Sequence, residues 1–359
     1  MRFFRIISVI CFSVLFLPLL FVQAQEEKKL AQKSASTLIY EAEQQIRKRN
    51  KVKVEDRLAA LEEISQVYQR LRDTANTLAD FGLNDPDYQV RIKSAQTLAV
   101  MGPAAGNSAD VVVALAGTLE KDEHPQVRIA AANALGAVLW EESNPGRAKF
   151  AVPGLVKAMK HDNDILVSRS ACYTFRKMRR TAKDAAPHLL EVMKSTDDGP
   201  LRELACRSFY EVIAPDSTEI VPVLLEMIKK GIEDPNVETS VWVALRRIDH
   251  QDGTVVSFMI ETLKRSKRVE LHGAAASVLG KIGPKAKSAV PDLIAVLERA
   301  ANEKQEVPVR VQNTVITALG QIGPEARSAI PTIRKLATNP KTADEVRITA
   351  KKVLELLNK

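Results

Sequence analysis

Gly283-Pro284-Lys285-Ala286-Lys287-Ser288-Ala289-Val290-Pro291 returns forty residues later as Gly323-Pro324-Glu325-Ala326-Arg327-Ser328-Ala329-Ile330-Pro331. Glycine readily ends a helix in the left-handed cap conformation, and proline cannot continue one. The stretch therefore reads as a link between two helices, used twice. Gly102-Pro103 opens an earlier version.

The helix leading into each link carries its own marker. A Val-Arg-like pair is followed by small residues three and four positions after the Arg position, then by a large apolar residue at plus seven. Val90-Arg91 leads to Ser94, Ala95 and Leu98, Val127-Arg128 to Ala131, Ala132 and Leu135, and Val346-Arg347 to Ala350, Lys351 and Leu354. Weaker copies place the large residue at Phe175, Phe209, Leu245, Leu279 and Leu319. The eight anchors lie 34 to 40 residues apart, the period of a stacked helix-pair array.

A second element precedes each marker. It reads Ala-Val-Pro at 151–153, Ala-Pro at 186–187, Val-Pro at 221–222, Ala-Val-Pro at 289–291 and Ala-Ile-Pro at 329–331. Proline suits the first turn of a helix, where its missing N–H costs nothing. Each repeat is thus a proline-led helix A, a short turn and a Val-Arg-led helix B. Asp85, Asp122, Asp162, Asp197 and Asp234 mark the turns and are placed to cap helix B.

These residues resemble the HEAT-repeat family, in particular the bacterial HEAT-like form of the phycobilisome-linked lyases. The resemblance runs over about residues 70 to 357. It implies an all-α, right-handed α-solenoid of about eight to nine HEAT-like helix hairpins over residues 70–359. It does not settle a function, because HEAT arrays serve as scaffolds, transport receptors, lyases and DNA-repair enzymes. Residues 25–69 read as an N-terminal helical cap. Leu30–Arg49 and Val54–Val67 are its predicted helices, with the turn at Asn50–Lys53. Arg57, Ala60 and Ile64 match the helix B marker loosely, which makes this a candidate ninth repeat closing the core.

Residues 1–24 read as a secretory signal peptide. Arg2 and Arg5 are basic, Ile6 to Val22 is an uncharged apolar run, and Val22-Gln23-Ala24 offers small residues for cleavage before Gln25. The alternative is an uncleaved anchor, against which the run is short and interrupted by Pro18. An exported chain, periplasmic or extracellular, argues against ATP, NAD and genomic DNA as ligands. Only Cys172 and Cys206 remain beyond the signal, so no disulfide framework is expected.

Aromatics make up 5% of the 359 residues and the net charge is +8. From Gln25 to Gly146 there are 15 basic and 18 acidic residues, and from Arg147 to Lys359 there are 35 basic and 26 acidic. The basic C-terminal portion suits an anionic partner, yet its surplus is modest for a dedicated nucleic-acid binder.

Catalytic patterns are missing from the sequence. His124, His161, His188, His250 and His272 belong to no His-Glu-x-x-His arrangement, and there is no Cys-x-x-Cys, Gly-x-Ser-x-Gly or phosphate-binding loop. The paired His-Glu steps of HEAT-type di-iron hydroxylases are not found, and no metal or cofactor is expected. Cys172 and Cys206 occupy the small-residue position at plus four, where packing outweighs a reactive or bilin-attaching thiol. Trp242 stands at that position in the next repeat and should disturb the local helix spacing. Trp140 is a candidate interface residue.

In HEAT solenoids helix B lines the concave face, and positions plus two, plus five and plus nine share a stripe. The central repeats put Tyr173, Lys177, Arg207, Arg247 and Lys281 there, with Arg176, Arg179, Arg180 and Arg246 adding charge at the same helix ends. The expected function is an exported scaffold or adaptor that binds a protein or peptide, an acidic one given these charges. The alternatives are a lyase-like enzyme, by family analogy, and a module binding a polyanion. The competing reading of the basic residues is plain decoration of solvated helix ends.

Overall fold

The computed structural model describes residues 37–358, except positions 38, 49–50, 68–71, 141–144, 250–252 and 302–306. The signal segment, Asn50, His250 and the Ser143-Asn144 turn lie outside the described residues. All regular structure among the described residues is helical. No described helix is long and apolar enough to cross a membrane.

The helices alternate as A and B partners, and the chain forms two compact units, one ending at Ala185 and one beginning at Ala186. In the first unit the pairs are α1 (39–47) with α2 (Val54–Val67), α3 (Arg72–Thr77) with α4 (Tyr88–Met101), α5 (Ala109–Lys121) with α6 (Pro125–Val138), and α7 (Ala148–His161) with α8 (Ile165–Met178). In the second they are α9 (Ala186–Ser195) with α10 (Gly199–Val212), α11 (Val221–Lys230) with α12 (Pro235–Arg247), α13 (Thr254–Arg265) with α14 (Val269–Ile282), α15 (Val290–Ala301) with α16 (Val309–Ile322), and α17 (Ile330–Thr338) with α18 (Asp344–Leu357). Within each unit successive B helices pack side by side, as do the A helices α5 with α7, α13 with α15 and α15 with α17. This is an α-solenoid stack of helix hairpins.

The anchors of the sequence pattern form its spine. Leu98, Leu135, Phe175, Phe209, Leu245, Leu279 and Leu319 are all fully buried, and Ile64 of α2 joins them. Leu354 is only half-buried, because among the described residues no further pair covers α18. Cys172 and Cys206 are buried and not joined in a disulfide. Burial pushes the Cys206 thiol above its ordinary pKa.

Three local expectations need correction. Gly102, Gly283 and Gly323 do end B helices at positive φ, but their ψ values of −140°, −138° and −142° lie outside the left-handed helical region. The extended ψ turns the chain sharply into the short helical turns that follow, Pro103–Gly106, Gly283–Ala289 and Gly323–Ala329. Pro222, Pro291 and Pro331 each follow the first residue of an A helix, whereas Pro153 sits inside α7. The third correction concerns the turn aspartates. Of the five, only Asp234 caps a B helix, accepting from the N–H groups of Asn236 and Val237. Asp87, Asp164 and Asp198 cap α4, α8 and α10 instead.

Candidate functional site

What Asp85, Asp122 and Asp162 do instead explains the Arg of the marker. Arg91, at the start of α4, donates through Nη1 to the carbonyl of Asp85 at 2.9 Å in its own turn. Its Nε and Nη2 then reach Asp122 of the next turn at 2.7 and 3.0 Å. Arg128 repeats this with the carbonyl of Asp122 and with the carboxylate of Asp162. Arg57 reaches Asp85 through Nη2 alone, at 2.8 Å, a single bond rather than a fork. Each carboxylate also accepts from the N–H two residues on, at Asp87, His124 and Asp164, which folds the turn around it. Paired forks of this kind are strong because both partners are charged and planar. The hydrogen bonds that Arg128 donates to Asp162 raise its pKa above the ordinary value.

The ladder changes character along the chain. Ser168 takes the Arg position in α8 and donates to the carbonyl of Ala158. In the second unit Arg202 faces Asp234 at 3.7 Å. At Glu238 the charges exchange sides, and Arg268 of the next turn donates to both carboxylate oxygens at 3.0 and 2.9 Å. His272 and Gln312 then bond carbonyls of their own turns, at Ser266 and Val307, and Arg347 bonds the Thr342 carbonyl and pairs with Asp344 beside it. The sequence shows Arg and Asp at fixed spacing, but the pairing runs between repeats and was not read from it.

The expected binding residues divide between the units, Tyr173 and Lys177 in the first and Arg207, Arg247 and Lys281 in the second. Tyr173, Arg207 and Lys281 are exposed, and Lys177 and Arg247 are half-exposed. Lys177 lies on Tyr173, with Nζ 5.2 Å from the ring centroid. Arg247 stacks on Tyr210, its guanidinium carbon 4.2 Å from the ring centroid, and donates to the Tyr210 carbonyl. Arg207 pairs with Glu203 on its own helix. The plus-two positions are not part of an open stripe: Ala130 and Ser240 are buried, and Ala274 and Thr314 half-buried.

Trp242 opens a cleft that the sequence reading did not assign. On α14 and α16 the helices approach so closely that a Cβ on Gly280 would come within 2.9 Å of the Ala318 Cα. On α12 the corresponding position is Arg246 and the small-residue position is Trp242, and α12 packs far more loosely on α14. The resulting cleft of about 350 Å³ is lined by Trp242, Val243, Gly273, Ala274, Val311 and Thr314. Arg246, Arg268 and Arg310 also border it. Arg268 is held by Glu238, while Arg246 makes only a 3.5 Å contact with Ser277 Oγ across the gap. The indole Nε1 of Trp242 is buried without a hydrogen-bond partner. A larger hollow of about 630 Å³ beside Met193, Val223 and Met227 has Lys194 and Lys230 balanced by Glu226 and Glu233, so it favours neither charge. Among the described residues no group of three or more His, Cys, Asp and Glu side chains could hold a metal ion.

The family profile for HEAT repeats matches residues 75–145 and again 118–209. Residues 75–209 carry HEAT repeats. No curated protein matches it in sequence. Kap95p, from a structure of its binding to RanGDP, matches the HEAT array at 16% identity over 92% of this chain and 45% of that one, with a TM-score of 0.53. The chain therefore spans less than half of that molecule. The HEAT-like repeat protein of Thermococcus onnurineus NA1 matches at 15% identity over 79% of this chain and 97% of that one, with a TM-score of 0.46. The CpcE–CpcF phycocyanin lyase complex of Nostoc sp. PCC7120 contributes a match at 19% identity over 81% of this chain and 96% of that one, with a TM-score of 0.35. At such identities the likeness is one of fold.

Proposed function

We propose that this HEAT array is an exported scaffold that holds an acidic protein or peptide segment against the outward side chains of its B helices. The supporting observation is the pair of cation–tyrosine stacks, Lys177 on Tyr173 and Arg247 on Tyr210. Each tyrosine face holds a long basic side chain that stays half-exposed, so less rotamer freedom is lost when a carboxylate arrives. Arg207 and Lys281 add exposed charge in the second unit. Kap95p, which shares the fold, binds RanGDP. The first 24 residues supply the export signal.

The test compares the parent protein with a Lys177, Arg207, Arg247 and Lys281 to Ala variant in affinity capture from an envelope extract. Loss of the same captured protein, with the helical signal and Tm unchanged, supports the reading. Retention by the variant defeats it, and the Lys352→Ala control should leave capture intact. N-terminal sequencing of exported protein should start at Gln25, and a retained Met1 would mean an anchor.

A further inference from the structure

We infer that the Trp242 cleft is a seat for a single carboxylate side chain, Asp or Glu, of an acidic partner segment. The inference rests on the reading of the chain as a holder of an acidic partner and gives that reading a defined pocket.

Three features converge on a carboxylate. First, Trp242 is about nine-tenths buried, and its N–H donates to nothing. A buried donor without an acceptor is disfavoured, and an acceptor delivered to the cleft would relieve it. Second, the cleft's charge is positive where it is uncommitted. Glu238 occupies Arg268 through both oxygens, which leaves Arg246 and Arg310 against the single rim carboxylate Glu270. Third, the space is small-walled: Gly273 and Ala274 are among the residues that line it, so a short acid fits where a helix would not.

The nitrogen has no exposed surface as the ring stands. Seating the acid therefore turns the indole toward the cleft, which the loose contact between α12 and α14 permits. Arg246 exchanges its long contact with Ser277 for a charge-assisted bond to the incoming oxygen. Neither step requires a shift of α14 on α16, which approach closely at Gly280.

The experiment uses an acetylated octaglutamate peptide carrying a fluorophore, with an octaglutamine peptide as the neutral comparison. Binding is read by anisotropy at low salt. In a Trp140→Phe background Trp242 is the one remaining tryptophan, so its emission reports the cleft directly. Octaglutamate should bind saturably and shift that emission, and octaglutamine should do neither. Trp242→Phe keeps an aromatic ring but removes the N–H with the pyrrole half of the indole, and should weaken octaglutamate binding about tenfold. The double change Arg246→Gln and Arg310→Gln, at side chains near the surface, should weaken it by at least as much while leaving the helical signal intact. Octaglutamate affinities of both variants within twofold of the parent would overturn the cleft and leave the scaffold reading standing on other residues. Equal binding of the two peptides, or no binding of octaglutamate at all, would overturn the carboxylate seat.

Discussion

Arg128 in α6 donates through Nε to Oδ2 of Asp162 at 2.8 Å and through Nη2 to Oδ1 at 2.7 Å, so one helix pair is clamped by the turn of the next. Both side chains are more than nine-tenths buried. Removing the acid leaves a guanidinium with little access to water. Asp162→Ala should therefore cost about 3 kcal/mol, read as a lower urea midpoint. Glu203→Ala, which removes the exposed partner of Arg207, should change stability by no more than about 0.5 kcal/mol. Equal effects at the two sites would mean that burial does not govern the ladder.

Arg179 ends α8 at φ 52° and ψ −135°, the conformation that glycine adopts at 102, 283 and 323. A side chain there is strained by roughly 1–3 kcal/mol. Glycine costs about 0.5–1 kcal/mol more in lost chain entropy, so Arg179→Gly should stabilise the first unit by about 1 kcal/mol. A higher Tm by calorimetry is the expected result, and an unchanged or lower one would show that the Arg179 side chain offsets its strain.

Acid should loosen the second unit at His272. The imidazole is buried, and its Nε2 lies 3.0 Å from the Ser266 carbonyl, so that nitrogen carries the proton of the neutral ring. Burial holds its pKa below the ordinary histidine value. The unfolded chain then binds the proton more readily, so the contribution is complete above about pH 6.5 and is lost as pH falls through the folded value. His272→Gln copies Gln312 of the next repeat, whose amide donates to Val307. The variant should show a flatter dependence of urea midpoint on pH below 6.5; an unaltered slope would assign the acid sensitivity elsewhere.

Gly280→Ala tests the tight junction. The new methyl would meet the Ala318 Cα at 2.9 Å, backbone that cannot rotate away. We expect a loss of about 1–3 kcal/mol. Gly117→Ala, in the A helix α5 where nothing lies within 4 Å of the added carbon, should instead be neutral or stabilising, because alanine favours helix. Similar losses at both would point to a general intolerance of alanine.

The repeat was legible because the burial that makes it is periodic. Leu98 through Leu319 are visible as large residues at plus seven, and each is a contact within its own neighbourhood. The linkage between repeats was less so. Asp122 and Asp162 look like helix caps in a linear string, since both caps and fork acceptors are turn aspartates a few residues before a Val-Arg pair. Only the fold shows that the true caps stand two residues later, as Asp87 and Asp164 do. Exposure of Tyr173, Arg207 and Lys281 followed from helical phase, whereas the collapse of Lys177 and Arg247 onto tyrosine rings did not. Trp242 was recognised as an irregularity, but its cleft depends on Gly273 and Ala274 in a different repeat.

The exchanged charges at Glu238 and Arg268 bear on how such an array can grow by gene duplication. A second copy of α5 and α6 inserted after the first would present a new Asp122 to Arg128, the same kind of partner that Arg91 already holds. That insertion keeps every fork filled. A second copy of α11 and α12 would bring a new Asp234 opposite Glu238, setting carboxylate against carboxylate. The stretch around the Trp242 cleft is therefore closed to lengthening by simple copying, while the N-terminal pairs remain open to it.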